Sequence, residues 1–206
     1  MEEVQLNWYA LKVFYNKVFE MEELLEEKGV ETYLPTRKIE LTGKERMQAA
    51  AQLAKTPENP DRRYFREGPK IFMREPLVSS LLFVRTDVHT IEELSAFLKG
   101  DPEVERPKGF VYRTADWKEY EAIPEKQMSL FRLVVESGLE GLEFFADDDI
   151  TRFRQGDKVR VIDGPLKGAE GYIRRIHKNR RLLVSISGVI AVATSYIPPE
   201  NLEKIK

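Results

Sequence analysis

The chain has no cysteine and only two histidines in 206 residues, and these shortages remove several functions at once. Without thiols there is no disulfide, no thiolate metal site and no cysteine nucleophile. His89 and His177 fall in different expected domains, so a triad or a shared metal would require the domains to close over them. Each reads as a solvated or structural side chain. No apolar run reaches the length of a bilayer crossing, and Met1-Glu2-Glu3 lacks the basic start of a secretory signal. A cytoplasmic protein without a membrane partner is expected.

Chemistry is scarce in what remains. Asp147, Asp148 and Asp149 are consecutive, point in different directions and lack the spacing of a calcium loop. The glycines around Gly164 are followed by no Gly-Lys-Ser/Thr and are flanked by strands on both sides, which argues against a phosphate loop. No nucleophile, activated base and orienting group come together. The expectation is a binding protein with no catalytic residue, metal or cofactor.

At 42% hydrophobic and 33% charged, the composition suits a soluble globular chain of one large domain or two small ones. The formal net charge of -2 hides an asymmetry. Residues 151–206 carry 12 Lys+Arg against 5 Asp+Glu, net +7; subtraction from the totals of 33 and 35 leaves 21 against 30, net -9, for residues 1–150. The two parts differ electrostatically. A basic C-terminal module attracts RNA or an acidic partner, although exposed lysines and arginines are also ordinary solvation.

Trp8 to Phe14 is rich in strand formers and sets Tyr9, Leu11 and Val13 on one face, as a central strand would. Asn16 is placed to cap a helix over 17–28, with Val18, Met21 and Leu25 on its buried side and Gly29 ending it. Thr32-Tyr33-Leu34 reads as a strand that Pro35 restricts to an edge or an end. Residues 42–70 break the pattern: Met47–Ala54 suits a short helix, Thr56 to Asp61 is turn material, and the whole reads as an insertion. Arg62, Arg63 and Arg66, interleaved with Tyr64 and Phe65, are residue types that hold phosphates and stack on bases; the plainer alternative is solvated arginines on a hairpin.

Leu81 and Phe83 alternate with Leu82 and Val84, so one pair faces the core and the other needs a partner. Thr90-Ile91-Glu92-Glu93 reads as a capping box opening a helix that buries Ile91, Leu94 and Leu98 and stops at Gly100. Gly109 to Arg113 is the next strand, and Pro124 starts a helix burying Met128, Phe131 and Val135. This α+β order predicts a first domain over 5–136, with helices on a mostly antiparallel sheet. Residues 137–152 read as an acidic linker. Residues 153–206 then read as a small all-β barrel, in which Val159 and Val161 alternate with charges and Gly164, Gly168 and Gly171 meet the needs of a tight hairpin: positive φ, a bulge or close backbone approach.

The stretch Gly156 to Ile173, with alternating valines, Gly164-Pro165 and a glycine a few residues on, resembles the KOW motif. The opening W-Y-A-L-K-V-F, a helix and T-Y-L-P-T are similar to the first β-α-β unit of the NusG N-terminal (NGN) domain. The chain thus resembles NusG-type transcription elongation and antitermination factors at both ends. Leu77 to Val84 takes the place of a family segment with Pro-Gly where this chain has Ser79-Ser80. The closing Ala191 to Pro199 looks most like the UpxY-type paralogues of capsular and exopolysaccharide operons.

That resemblance implies binding to RNA polymerase, with an apolar depression formed here by Leu81, Phe83, Phe110 and Ile123 receiving the clamp helices of the largest subunit. His89-Thr90 resembles the start of a His-Thr-Thr motif with which RfaH-type paralogues touch the polymerase gate loop. Arg62, Arg63 and Arg66 would lie near non-template DNA, with nascent RNA a further possible partner. Leu166, Val189 and Ile190 occupy the rim by which the KOW domain engages a ribosomal small-subunit protein of the NusE type or the termination factor Rho. Val189 and Ala191 replace a large aromatic and an arginine, which counts against Rho. The alternative is a ribosome- or RNA-binding module with an RRM-like sheet, for which Gly109-Phe110-Val111-Tyr112 is a partial match.

Overall fold

In the computed structural model, residues 5–55, 61–100, 107–146, 156–176, 179–186 and 188–205 are described. Asp147–Asp149, His177 and the turn residues 56–60 lie outside them. Strand β1 (Asn7–Val13) is central, as its composition requires. It pairs antiparallel with β6 (Leu81–Thr86) on one side and β7 (Gly109–Val111) on the other, and β2 (Glu31–Tyr33) completes the order β2-β6-β1-β7. Pro35 follows β2, which is indeed an edge strand. Tyr9, Leu11, Val13, Leu82, Val84 and Val111 form one apolar face, covered by α1 (Val18–Glu27) and α3 (Val88–Lys99).

Two helix starts differ from expectation. Asn16 does not cap α1; it and Tyr15 both adopt left-handed backbone (φ 57° and 59°), and Lys17 precedes the helix without a side-chain cap. The tolerance of asparagine for that region is used in the turn out of β1. Helix α3 begins almost one turn before Thr90. Asp87 is its cap, accepting from the Thr90 N–H (3.0 Å) and hydroxyl (2.8 Å). Aspartate is the stronger cap, and the earlier start still buries Ile91, Leu94 and Leu98.

The 42–70 excursion is more ordered than its breakers suggest. Strands β3 (Thr36–Glu40), β4 (Tyr64–Glu67) and β5 (Lys70–Pro76) form a separate antiparallel sheet, β3-β5-β4, under helix α2 (Gly43–Lys55). Leu41, Ala49 and Ile71 are its small core. The sheet prolongs the β2–β6 hairpin past Pro35 and Pro76, where the Leu77 N–H donates to the Pro35 carbonyl. Ser79-Ser80 still make a turn, closed by the Leu81 N–H to the Val78 carbonyl.

After Pro124 comes α4 (Glu125–Glu136), then a six-stranded antiparallel sheet ordered β13-β9-β10-β11-β12-β8. Its strands are β8 (Glu143–Ala146), β9 (Lys158–Val161), β10 (Glu170–Ile176), β11 (Asn179–Ile186), β12 (Ile190–Tyr196) and β13 (Leu202–Lys204). The expected linker is therefore structured in part, since residues 143–146 pair with β12. Phe144 and Phe145 alternate between two apolar clusters, a strand pattern that the acidic composition of the segment obscures. The β9–β10 hairpin is bent as its glycines predict: Gly164 and Gly168 have φ of +87° and +91°.

Candidate protein-binding face

The second face of the first sheet carries Trp8, Ala10, Leu81 and Phe83. These residues alternate with the core pair Leu82 and Val84, so a sheet with helices on one side would leave them bare. Helix α4 covers them with Met128, Phe131 and Val134, and the Phe83 and Phe131 rings lie 5.4 Å apart. Ile123 joins the same surface through a backbone bond to Trp8 (2.8 Å), and the Trp8 indole donates to Glu125 (2.9 Å). Tyr33 packs beside Phe83 with the Arg132 guanidinium over its ring; burial pushes its pKa upward, and neighbouring Glu136 adds to this.

The cover extends into the C-terminal sheet. Val159, Leu182, Val184, Val189 and Val192 belong to the same apolar cluster as Phe83 and Phe131. Phe144 on β8 approaches Phe131 at 6.4 Å, and Gly188 sits against Glu121. An ion pair crosses the contact: Lys126 on α4 reaches Glu170 on β10 (2.9 Å), which also holds Arg160 (2.7 Å). Hydrogen bonds from Arg160 and then Lys126 hold the Glu170 carboxyl at about 2. Its folded pKa is depressed from 4.5, so its contribution is fully present above about 4.5 and is lost as pH falls through about 2. Glu170→Gln should speed amide exchange along α4 while leaving both parts folded; unchanged exchange would show that this pair does not hold the contact.

Of the four depression residues, Leu81, Phe83 and Ile123 are buried and Phe110 is half-exposed. All four lie on or beside one face, because Phe110 pairs with Lys12 and so shares the side of Ala10. Phe110 joins an aromatic run with Tyr112 (5.4 Å) and Phe14 (6.0 Å), which directly follow β7 and β1, so the grouping is tertiary and spacing does not carry it. His89 is exposed and 3.4 Å from Glu93, whereas Thr90 is engaged by Asp87. Both lie on α3, across the sheet from this face. Leu166, Val189 and Ile190 are buried within the cluster that joins the two parts.

The arginines of the insertion are less free than their spacing suggests. Arg62 pairs with Glu26 (2.5 Å), and its hydrogen bond to that carboxylate raises its pKa. Arg63 is held by Asp61 (2.6 Å), whose carboxyl it pulls below the usual range, and lies over the Tyr64 ring. Arg66 is exposed on β4. Among the described residues no group of three His, Asp or Glu is arranged to hold a metal, and no helix is long and apolar enough to cross a membrane.

An apolar sheet face covered jointly by α4 and by a second, all-β unit defines a two-domain α+β protein. Residues 6–132 match the family described as "Transcription termination factor nusG", and the chain belongs to the NusG family. It is a NusG-type transcription elongation factor with an NGN domain, a non-enzymatic protein of a family that binds RNA polymerase. It is similar to a solved Thermotoga maritima structure described as "Domain interaction in Thermotoga maritima NusG", at 16% identity over 98% of both chains and a TM-score of 0.45. No curated relative matches it.

Proposed function

We propose that RNA polymerase is bound through the second face of the β2-β6-β1-β7 sheet, and that the protein promotes processive elongation as a specialised UpxY-type antiterminator of one polysaccharide operon. The observation that supports this site is the grouping of Leu81, Phe83, Phe110 and Ile123 about one apolar face. Such a face receives a helical tip by burying aromatic and aliphatic anchors. Because α4 and the C-terminal sheet cover three of these residues, the half-exposed Phe14–Phe110–Tyr112 margin is the first point of contact. Full engagement of Leu81 and Phe83 then requires both the C-terminal domain and α4 to yield part of the cluster.

The insertion presents Arg66 to the non-template strand, with Arg62 and Arg63 joining only after leaving their carboxylates. Val189 and Ile190 become available to a NusE-type protein when the domains part.

Phe110→Ser tests the face without emptying the core. It is expected to weaken polymerase binding about tenfold or more, the effect of losing one interface anchor, with little change in melting temperature. Affinity equal to that of the parent would refute the site. The operon assignment is read separately, as read-through of a pause-rich polysaccharide leader with and without the protein, and unchanged read-through would refute it.

A further inference from the structure

The two helices on the first face of the sheet leave an apolar groove between them. Leu24 on α1, Val30 just after it, and Leu94 and Phe97 on α3 line a cavity of about 320 Å³. Leu94 is buried, whereas Leu24, Val30 and Phe97 are only half-buried, at the margin of the core that α1 and α3 build on this face. Apolar side chains scattered singly over a surface are ordinary, but three gathered about one cavity mark a place where something else can dock. The volume lies near the lower limit for small-ligand pockets, roughly 300 Å³, and suits the apolar side chains of a larger partner.

The charges around the groove select the partner. Residues 17–28 carry Glu20, Glu22, Glu23, Glu26 and Glu27 against Lys17 and Lys28, and residues 87–99 carry Asp87, Glu92 and Glu93 against Lys99, eight acids to three bases. Some of these acids are neutralised from the insertion: Arg74 takes Glu22, and Arg62 takes Glu23 and Glu26. Glu27 and Glu92 are exposed and meet no cation among the described residues, and Glu93 on the rim has His89 at 3.4 Å. The one cation lining the groove, Lys28, lies over the Phe97 ring at 5.9 Å. Such a rim repels a phosphate backbone. An amphipathic helix with lysines or arginines beside its apolar stripe fits both parts of the surface: its anchors enter the groove while its cations meet Glu27, Glu92 and Glu93.

We infer that the groove between α1 and α3 is a docking site for a basic amphipathic helix of a partner protein, with Leu24 and Phe97 as apolar contacts and Glu27, Glu92 and Glu93 as the charged rim. The groove lies across the sheet from the face proposed for polymerase, so both can be filled at once. A protein held there travels with the factor without competing for Phe110. The inference does not depend on the polymerase proposal.

The probe is a fluorescent peptide, KLLKKLLKKLLKKL, which sets leucines on one helical face and lysines on the other; ELLEELLEELLEEL is its charge-reversed counterpart. Binding to the full chain is followed by anisotropy. The basic peptide should bind, more weakly as salt is raised, and the acidic one should not. Leu24→Ser should weaken the basic peptide about tenfold, as for loss of one interface anchor. Glu27→Lys combined with Glu93→Lys should weaken it at least as much and flatten the salt dependence, and both positions are exposed, so this variant stays folded. Parent-like affinity in either variant overturns the inference, because the first result would leave charge attraction alone and the second apolar adhesion alone. Amide shifts induced by the peptide should centre on residues 24–30 and 93–97; shifts confined to the Phe110 face also overturn it. So does binding of a dT15 strand that Leu24→Ser weakens, which would make the groove a nucleic-acid site. Phe110→Ser should take the peptide as the parent does, and its loss of polymerase is read separately from this site.

Discussion

Replacing Arg74 by alanine is expected to destabilise the N-terminal domain by about 3 kcal/mol, the lower end of the range for stranding a buried charge. Glu22 lies on the inner side of α1, 4% exposed, and receives both arms of the guanidinium at 2.8 and 2.9 Å. Arg74 also lies over the Phe19 ring at 5.3 Å. Its removal leaves a buried carboxylate that Arg62, already paired with Glu26, offsets only through its field. The pair spans α1 and β5, so it also fixes the insertion against the main domain. Arg62→Ala, which breaks the exposed pairs to Glu23 and Glu26, should cost less than about 1 kcal/mol. Substituting methionine at both Glu22 and Arg74 should recover most of the loss, because a well-packed apolar pair replaces an ionic one at little cost. Urea unfolding of the three variants measures the ordering. An Arg74→Ala protein within 1 kcal/mol of the parent would mean that Glu22 finds solvent after all.

Much of the N-terminal domain was legible because its signals are local. The alternation through Trp8–Val13 and Leu81–Val84, the helical spacing of Met128, Phe131 and Val135, and the Gly29 stop all appear in the structure where the pattern puts them. The errors arise where two local signals compete. Asp87 and Thr90 both offer a cap, and the better acceptor begins the helix. Asn16 is suited both to capping and to the left-handed turn, and the chain uses the second property.

The site was only partly legible, for a different reason. Alternation shows that Leu81 and Phe83 need a cover but says nothing of what provides it. The cover comes from α4, about fifty positions later, and from valines of a second domain. Phe144-Phe145 lies in a segment whose carboxylates suggest solvent, yet two aromatic residues with opposite faces suffice for a short edge strand. The arginine cluster conceals a relation of the converse kind. Its residue types fit phosphate binding, but the partners of Arg62 are on α1, a tertiary relation that spacing does not carry.

Gly109→Ala should abolish polymerase binding and destabilise the N-terminal domain by about 3 kcal/mol or more, the size reserved for backbone conflicts that cannot relax. A Cβ at Gly109 would lie 2.1 Å from the Lys12 carbonyl oxygen and 3.2 Å from the Val13 Cα. Both are main-chain atoms of the central strand, so β7 must separate from β1 and take Phe110 with it. Gly171→Ala produces the same conflict in the other domain, with its Cβ 2.4 Å from the Leu183 carbonyl oxygen. Gly164→Ala is the control within that hairpin: nothing lies within 4 Å, and only its φ of +87° is strained, a cost of about 1 kcal/mol. The two severe variants should part in function. If polymerase binds the second face of the first sheet, disrupting the C-terminal sheet removes the part of its cover that α4 does not supply, so Gly171→Ala should bind polymerase at least as well as the parent. Loss of binding in Gly171→Ala, with the N-terminal domain still folded by circular dichroism, would place the contact in the C-terminal domain. Retention in Gly109→Ala would show that Phe110 and its strand are not part of it.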